Sequence, residues 1–215
     1  MSAVFDNLDV FWSGFRITLV LTLLSSALAL TLGMALAAMR VSPVPILRAV
    51  GTTYVETVRN VPPVVVFFFV VFGLPQAGVQ LPFMTSAVTS LVVYYTAFFC
   101  EAVRSGINSV QVGQAEAARS IGLSFGASLR LVILPQAFRS AVPPLINVFI
   151  ALTKTSAVAS AFGVAELLNA TQRLAQSHST SVLLILGTTA VLYLGITIPA
   201  GVVAHRIERK VAIAR

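Results

Sequence analysis

Read along the chain, apolar positions come in long unbroken blocks, not in the alternation of half-buried strands or the one-sided stripes of soluble helices. Five blocks predict membrane-spanning helices, at residues 17–39, 61–79, 82–100, 141–156 and 182–204. A bilayer core of about 30 Å takes roughly 20 helical residues, with a range of about 17–25. The first block has no charge between Arg16 and Arg40 and stops at Ser42-Pro43-Val44-Pro45, where proline ends a helix. Within it Ser25, Ser26, Ala27, Ala29, Gly33 and Ala37 form patches small enough for a neighbouring helix to approach closely. Residues 46–60 are helix-compatible but carry Arg48, Glu56 and Arg59, which predicts an interfacial lead-in to the second span. Pro62 and Pro63 fall in that span's first turn, where a missing N–H costs little. Val64 to Gly73 is almost wholly β-branched and aromatic. It lacks alternation and lies among spanning blocks, so it reads as membrane helix and not as a buried strand. Gly73, Pro75 and Gly78 loosen its end.

Composition supports the same class. Apolar residues make up 57% of the 215 positions, charged residues 10%, and the mean hydropathy is +0.93. Soluble domains carry about 25% charged residues, so a chain this poor in charge must show much of its surface to lipid. The same numbers exclude disorder, which needs few bulky apolar residues. The formal charge of +7 is not a nucleic-acid signal, because the basic residues flank the apolar blocks and form no stripe among aromatics. Cys100 is the only cysteine and cannot pair within the chain. Asp6 and Asp9 precede the first block with no basic n-region, so that block is expected to be retained as a span.

Charge placement orients the spans. Arg40, Arg48 and Arg59 lie between the first two, Arg104, Arg119, Arg130 and Arg139 between the third and fourth, and Arg206, Arg209, Lys210 and Arg215 after the fifth. These are eleven of the fourteen basic residues, all on one side if there are five spans. The remaining three are Arg16, Arg173 and Lys154. The positive-inside rule then puts the N-terminus outside and the C-terminus inside. The expected fold is an all-α membrane protein, a single transmembrane domain over residues 1–215, with five transmembrane helices and a helical cytoplasmic loop at residues 105–138.

That loop carries the most specific pattern. Gly113-Gln-Ala-Glu116-Ala117-Ala118-Arg119-Ser-Ile-Gly122 reads as a short helix broken at Gly122; the residues that follow read as a second helix ending around Pro135. Ala115, Ala118 and Gly122 follow at helical spacing, predicting a smooth face for a partner, with Glu116 and Arg119 on the adjoining polar edge.

Glu-Ala-Ala, three residues, Gly, then twelve residues and Pro resembles the coupling-loop motif of permeases of ATP-binding cassette (ABC) importers. Glu116, Ala117, Ala118, Gly122, Leu134 and Pro135 match; Val132 stands where isoleucine is usual. The resemblance covers most of the chain and is to the polar amino-acid branch, through Arg40-Val-Ser-Pro43, Tyr54-Val-Glu56-Thr-Val-Arg59-Asn60-Val-Pro62, Leu134-Pro135-Gln136-Ala137-Phe138-Arg139 with Pro143 and Asn147, Ala151-Leu-Thr-Lys154, and Gly163-Val164-Ala165-Glu166-Leu167. Two places depart from it: Thr155-Ser156-Ala157-Val158 after Lys154, where an acidic residue or asparagine and then Thr-Ser is usual, and Val61, where a small polar residue is common.

The resemblance implies a multi-pass subunit of the bacterial inner (plasma) membrane that imports polar amino acids, with glutamate as the leading substrate. It implies an ABC ATPase dimer docked on Glu116, Ala117, Ala118, Arg119, Gly122, Leu134 and Pro135. The other implied partners are a second permease copy or paralogue and an extracytoplasmic amino-acid-binding protein. ATP and Mg2+ would be bound by the ATPase, and no cofactor by this chain, which lacks a Gly-rich loop followed by Lys and Ser/Thr. Membrane lipid is the remaining contact and nucleic acid is not a partner.

Lys154 within a span reads as a pathway residue or as a lysine snorkelling to the interface. Asn147 reads as an interhelical amide or a pathway group; Thr155 and Ser156 are further pathway or gate candidates, and Glu166 a contact for the binding protein. Glu56 with Arg59 and Glu101 with Arg104, three apart, read as local pairs. Adjacent Tyr94 and Tyr95 are not expected to point both rings to one side of a helix. His178 has no partner suited to a metal, and no Ser–His–Asp set supports catalysis. The alternative function is an ion-gradient-driven secondary amino-acid carrier, which would need complete binding chemistry and inverted repeats of its own.

Overall fold

The computed structural model describes residues 2–212 and is helical throughout, with no strand among them. A short helix α1 (Ser2–Phe5) leads into α2 (Leu8–Val41), whose 34 residues make a rod of about 50 Å. The helix thus begins well before the first apolar block, and Arg16 lies inside it. Its buried stripe is Phe11, Gly14, Thr18, Leu21, Thr22, Ser25, Ala29, Gly33 and Ala37, mostly small residues at helical spacing. Their smallness sets the packing distance. A Cβ on Gly33 would lie 2.8 Å from the Phe99 Cβ, and one on Gly14 3.0 Å from the Ala170 Cβ.

Ser42, in extended conformation before Pro43, closes α2, and Pro45 opens α3 (Pro45–Arg59). Helix α4 (Pro63–Phe68) starts on Pro63 and runs through a π turn, Phe69–Gly73, into α5 (Leu74–Gln76). The β-branched run is therefore helical. It is only fourteen residues long, about 21 Å, and bends by 105° from α3. Counting that bent pair as one, the chain has five candidate spans; without it, four.

Helix α6 (Phe83–Asn108) is the centre of the bundle, with Ala87, Leu91, Ala97 and Cys100 wholly buried. It packs on α2 at Gly33 and, at Gly106, on Ala137 and Ala141 of the helix Leu134–Thr155, where a Cβ would collide with the Ala141 Cβ. Leu21, Phe67, Leu91, Leu152 and Phe162 join five segments in one core.

The loop between α6 and the next long helix folds as α7 (Val112–Ser120), a turn, and α8 (Phe125–Ser128). A second π turn, Leu129–Ile133, then continues directly into α9 (Leu134–Thr155). The helix expected to end near Pro135 instead passes through it. A proline lacks its N–H and its ring collides with the carbonyl four residues back; a widened π turn accommodates both. The same solution appears twice. Each π turn ends immediately before the tetrapeptide Leu-Pro-Gln-Ala, at 74–77 and at 134–137.

Helix α9 tightens into a 3-10 segment, Ser156–Phe162, which ends at Gly163 with φ +84°. The polar interval that follows is not a plain loop. It forms α10 (Leu167–Ser177), burying Leu167, Ala170, Thr171 and Leu174 against α2 and α11. The last helix, α11 (Val182–Ala212), shows Leu183, Val191, Leu194 and Ile198 outward, as a lipid-facing helix does.

Candidate functional site

The loop that carries the Glu116-to-Pro135 pattern stands at the end of the bundle where α6 finishes and α9 begins. Helix α7 is closed by a two-bond cap: the Leu123 N–H donates to the Ala118 carbonyl at 3.1 Å and the Gly122 N–H to the Arg119 carbonyl at 2.9 Å. This pairing requires a left-handed residue at the turn, and Gly122 supplies it at φ +83°. A Cβ there would meet no atom of the chain within 4 Å, so backbone conformation, and not crowding within the chain, requires the glycine. The Ser124 hydroxyl accepts from the Ala127 N–H at 3.3 Å and starts the second half. The Gln136 side chain donates to the Val132 carbonyl at 3.0 Å and to Gln114 Oε1 at 3.4 Å, clipping α7 to the foot of α9.

This folding sorts the motif residues. Glu116, Ala117, Arg119, Gly122, Leu134 and Pro135 are exposed. Ala118 is buried, at 4%, so it packs the loop against its own second half and is not part of an open face. The open surface contains something the motif did not announce: Ile121 and Phe125 are 79% and 76% exposed on either side of Gly122. Beside Glu116 and Arg119 they make an apolar-and-charged tip of the kind that protein interfaces cover. Their exposure could not be read from sequence, because isolated apolar residues in a short helical loop are as often buried under it.

The pathway candidates divide similarly. Asn147 and Lys154 are both exposed on α9, seven residues apart and so on one face, with exposed Ala151 between them. Thr155 turns inward, its hydroxyl 2.6 Å from the Tyr95 hydroxyl. Ser156 is fully buried and donates to the Thr153 carbonyl at 2.8 Å; it stabilises the switch to 3-10 geometry and does not face an open surface. The Tyr94 and Tyr95 rings, expected to diverge, meet edge to face at 5.2 Å and both approach Phe98, at 5.0 and 5.6 Å.

Glu166 is not a surface residue. It is completely buried and caps α10, accepting from Asn169 N–H at 2.9 Å and Leu168 N–H at 3.0 Å. It also accepts from the Tyr193 hydroxyl at 2.9 Å, and Thr18 Oγ1 lies 3.3 Å away. Burial raises its carboxyl pKa while these donors oppose the rise. In this conformation the carboxylate ties α2, α10 and α11 together and has no free edge for a binding protein.

A charge cluster lies where α2, α3 and α6 meet. Glu101 pairs with Arg40, with Arg104 at 3.2 Å and with Arg59 at 3.9 Å. Arg40 also reaches Glu56 at 4.0 Å, and Arg59 sits 5.6 Å from the Phe98 ring centroid. The Glu101–Arg104 pair is as expected; Glu56 and Arg59 turn to partners on other helices. Spacing within one helix cannot reveal pairs between helices. Arg40, with a 7% exposed side chain, was the sequence-visible hint, as the charge that ends an otherwise uncharged span.

A helical membrane subunit with a capped, protruding loop at one end and a polar stripe on one spanning helix is the architecture of a transport-complex membrane component. Residues 8–213 match the family model of the binding-protein-dependent transport system inner membrane component. The glutamate transport system permease protein GluC of Corynebacterium glutamicum is 39% identical over 97% of this chain and 95% of its own. The probable glutamine ABC transporter permease protein GlnM of Bacillus subtilis is 36% identical over 98% and 97%. Among solved structures, an amino acid ABC transporter crystallised with histidines superposes with a TM-score of 0.88 at 32% identity, covering 95% of both chains. The chain belongs to the family of binding-protein-dependent transport system inner membrane components.

Proposed function

We propose that this chain is the transmembrane permease subunit of an ATP-driven importer of polar amino acids, with glutamate as its substrate. The glycine-capped coupling loop carries this reading: a rigid, exposed helical tip, with Ile121, Phe125, Glu116 and Arg119 outward, is what a cytoplasmic ATPase would grip. Two ATPase subunits, which hold the ATP and Mg2+, close and push the loops of two permease copies or paralogues. Because the second π turn joins the loop to α9 without a break, displacement of the loop moves the helix bearing Asn147 and Lys154. In this reading the loop side is cytoplasmic and the N-terminus outside, which the sequence asymmetry of basic residues supports if there are five spans. An extracytoplasmic binding protein delivers the amino acid to the opposite end.

The Asn147–Lys154 stripe supplies the substrate contact. An ammonium in a span is costly unless it faces water or a counter-charge, and the Lys154 side chain forms no ion pair among the described residues. A substrate carboxylate answers that need, and similarity to both glutamate and glutamine permeases supports a polar amino acid as the substrate. Uptake of labelled glutamate by the reconstituted complex, in competition with glutamine, aspartate and arginine, tests this. Lys154→Ala is expected to weaken glutamate transport about tenfold or more, the loss of a charge-assisted bond, while ATPase activity without substrate stays as it was. Unchanged glutamate uptake in that variant would remove Lys154 from the pathway.

A further inference from the structure

At the end of the bundle opposite the coupling loop, a cleft of about 600 Å³ opens between α2, the start of α6 and the turn after the 3-10 segment. Ser13 and Arg16 are its polar side chains; Val20, Phe83, Met84 and Ala165 are among its apolar ones. Arg16 is exposed and pairs with no acidic group among the described residues. Its depth is marked on its own helix. Trp12, one turn earlier on the same face, is 59% exposed and stacked on Phe15 at 5.8 Å, in the manner of aromatics at a membrane interface. One turn deeper Val20 is 54% exposed, followed by Leu23 and Leu24, residues suited only to hydrocarbon. Arg16 is therefore held about 6 Å below the aromatic level, where an arginine reaches back to the headgroups.

We propose that this cleft binds a membrane phospholipid, with the headgroup phosphate on Arg16 and Ser13 and an acyl chain along Val20, Met84 and Phe83. The chemistry selects this occupant. A guanidinium pairs with a phosphate through two parallel N–H bonds, and the apolar wall below it takes a hydrocarbon chain. A polar amino acid does not fit, because its ammonium would find no carboxylate: the Glu166 group next to Ala165 is buried and accepting from Leu168, Asn169 and Tyr193. The turn forming the cleft wall is fixed by Gly163 at φ +84°, where a Cβ would come within 3.2 Å of the Phe83 ring. A lipid seated there bridges α2 to the segment that ends α9, and so clamps the outer end of the moving helix.

The test is native mass spectrometry of the intact permease–ATPase complex with added dioleoyl phosphatidylglycerol, and with dioleoyl phosphatidylcholine as comparison. One phosphatidylglycerol per permease chain is expected to survive stripping of the other lipids. Its retention should fall about fivefold in Arg16→Gln, the loss of roughly one basic contact at a membrane surface, and be restored in Arg16→Lys. Ala165→Phe fills the cleft without removing the charge and should abolish retention as well; thermal unfolding of each complex verifies that it is intact. Equal retention in wild type, Arg16→Gln and Ala165→Phe overturns the proposal. Displacement of the lipid by soluble glycerol phosphate also overturns it, by showing that the acyl chain contributes nothing. So does maleimide labelling of Arg16→Cys that is blocked by the binding protein but not by lipid, which would assign the cleft to a protein.

Discussion

Single residues in this protein matter through what they make possible in the backbone or between helices. Gly122 is the clearest case. Its φ of +83° closes α7 through two bonds, and an L-residue there carries about 1–2 kcal/mol of strain. Asparagine tolerates this conformation better than alanine, so Gly122→Asn is expected to keep more ATP-dependent transport than Gly122→Ala despite its greater bulk. The reverse order would mean that close approach by a partner, and not the turn, requires the glycine. Glu101 is the second case. It is the acidic centre shared by Arg40, Arg59 and Arg104, and its loss leaves the nearly buried Arg40 with only the distant Glu56. Breaking a buried pair costs about 3–5 kcal/mol. Discounted for the one-third exposure of Glu101, Glu101→Ala should destabilise the complex by roughly 2–3 kcal/mol, read as a lowered thermal midpoint, and Glu101→Gln by less. An unshifted midpoint in Glu101→Ala would show the cluster to be energetically idle.

At the scale of elements, the apolar blocks were legible because a membrane span announces itself by length and lack of charge. Even the strand-like run at Val64 was legible as helix once its neighbours were considered. Boundaries were less so. Helix α2 runs on past Arg16 because an arginine near a membrane surface costs little, so a charge does not mark a helix end there. Helix α10 could have been found: the Glu166 carboxylate caps it by accepting from two backbone N–H groups, and Leu167, Ala170 and Leu174 repeat at helical spacing, a pattern that the surrounding polar residues mask. The passage through Pro135 was not legible, since proline tends to end a helix, although Pro143, Pro144 and Pro199 also lie inside helices here; only the repeat of Leu-Pro-Gln-Ala after both π turns hints at it. That π turn gives an element-scale prediction. Pro135→Ala removes the need for the extra residue in the turn, and reversion to α geometry would rotate the coupling loop by about 100° against α9. The variant should fold with unreduced stability but transport at least severalfold more slowly. Normal transport with normal stability would show that the π turn is only a packing detail.

Across the whole molecule, the placement of the candidate residues was partly readable from sequence for a physical reason. The coupling motif is local in sequence, so Glu116, Ala117, Arg119, Leu134 and Pro135 could be named and are exposed. Groups whose roles depend on packing between helices changed meaning: Ala118 is internal, Ser156 is a backbone partner, and Glu166 is a buried cap. What remains on the surface is economical. One end carries the loop and its apolar tip, the opposite end carries the Arg16 cleft, and between them α9 carries Asn147 and Lys154 on a helix continuous with the loop. The central claim is that ATPase closure moves this helix through that loop. Its most direct test is substrate uptake into proteoliposomes holding the permease with its ATPase and binding protein, against the same vesicles without the ATPase. The account predicts accumulation of glutamate that requires ATP and the ATPase and is lost when Ile121 and Phe125 are both replaced by Asp. Accumulation driven by an ion gradient in vesicles that lack the ATPase would contradict it.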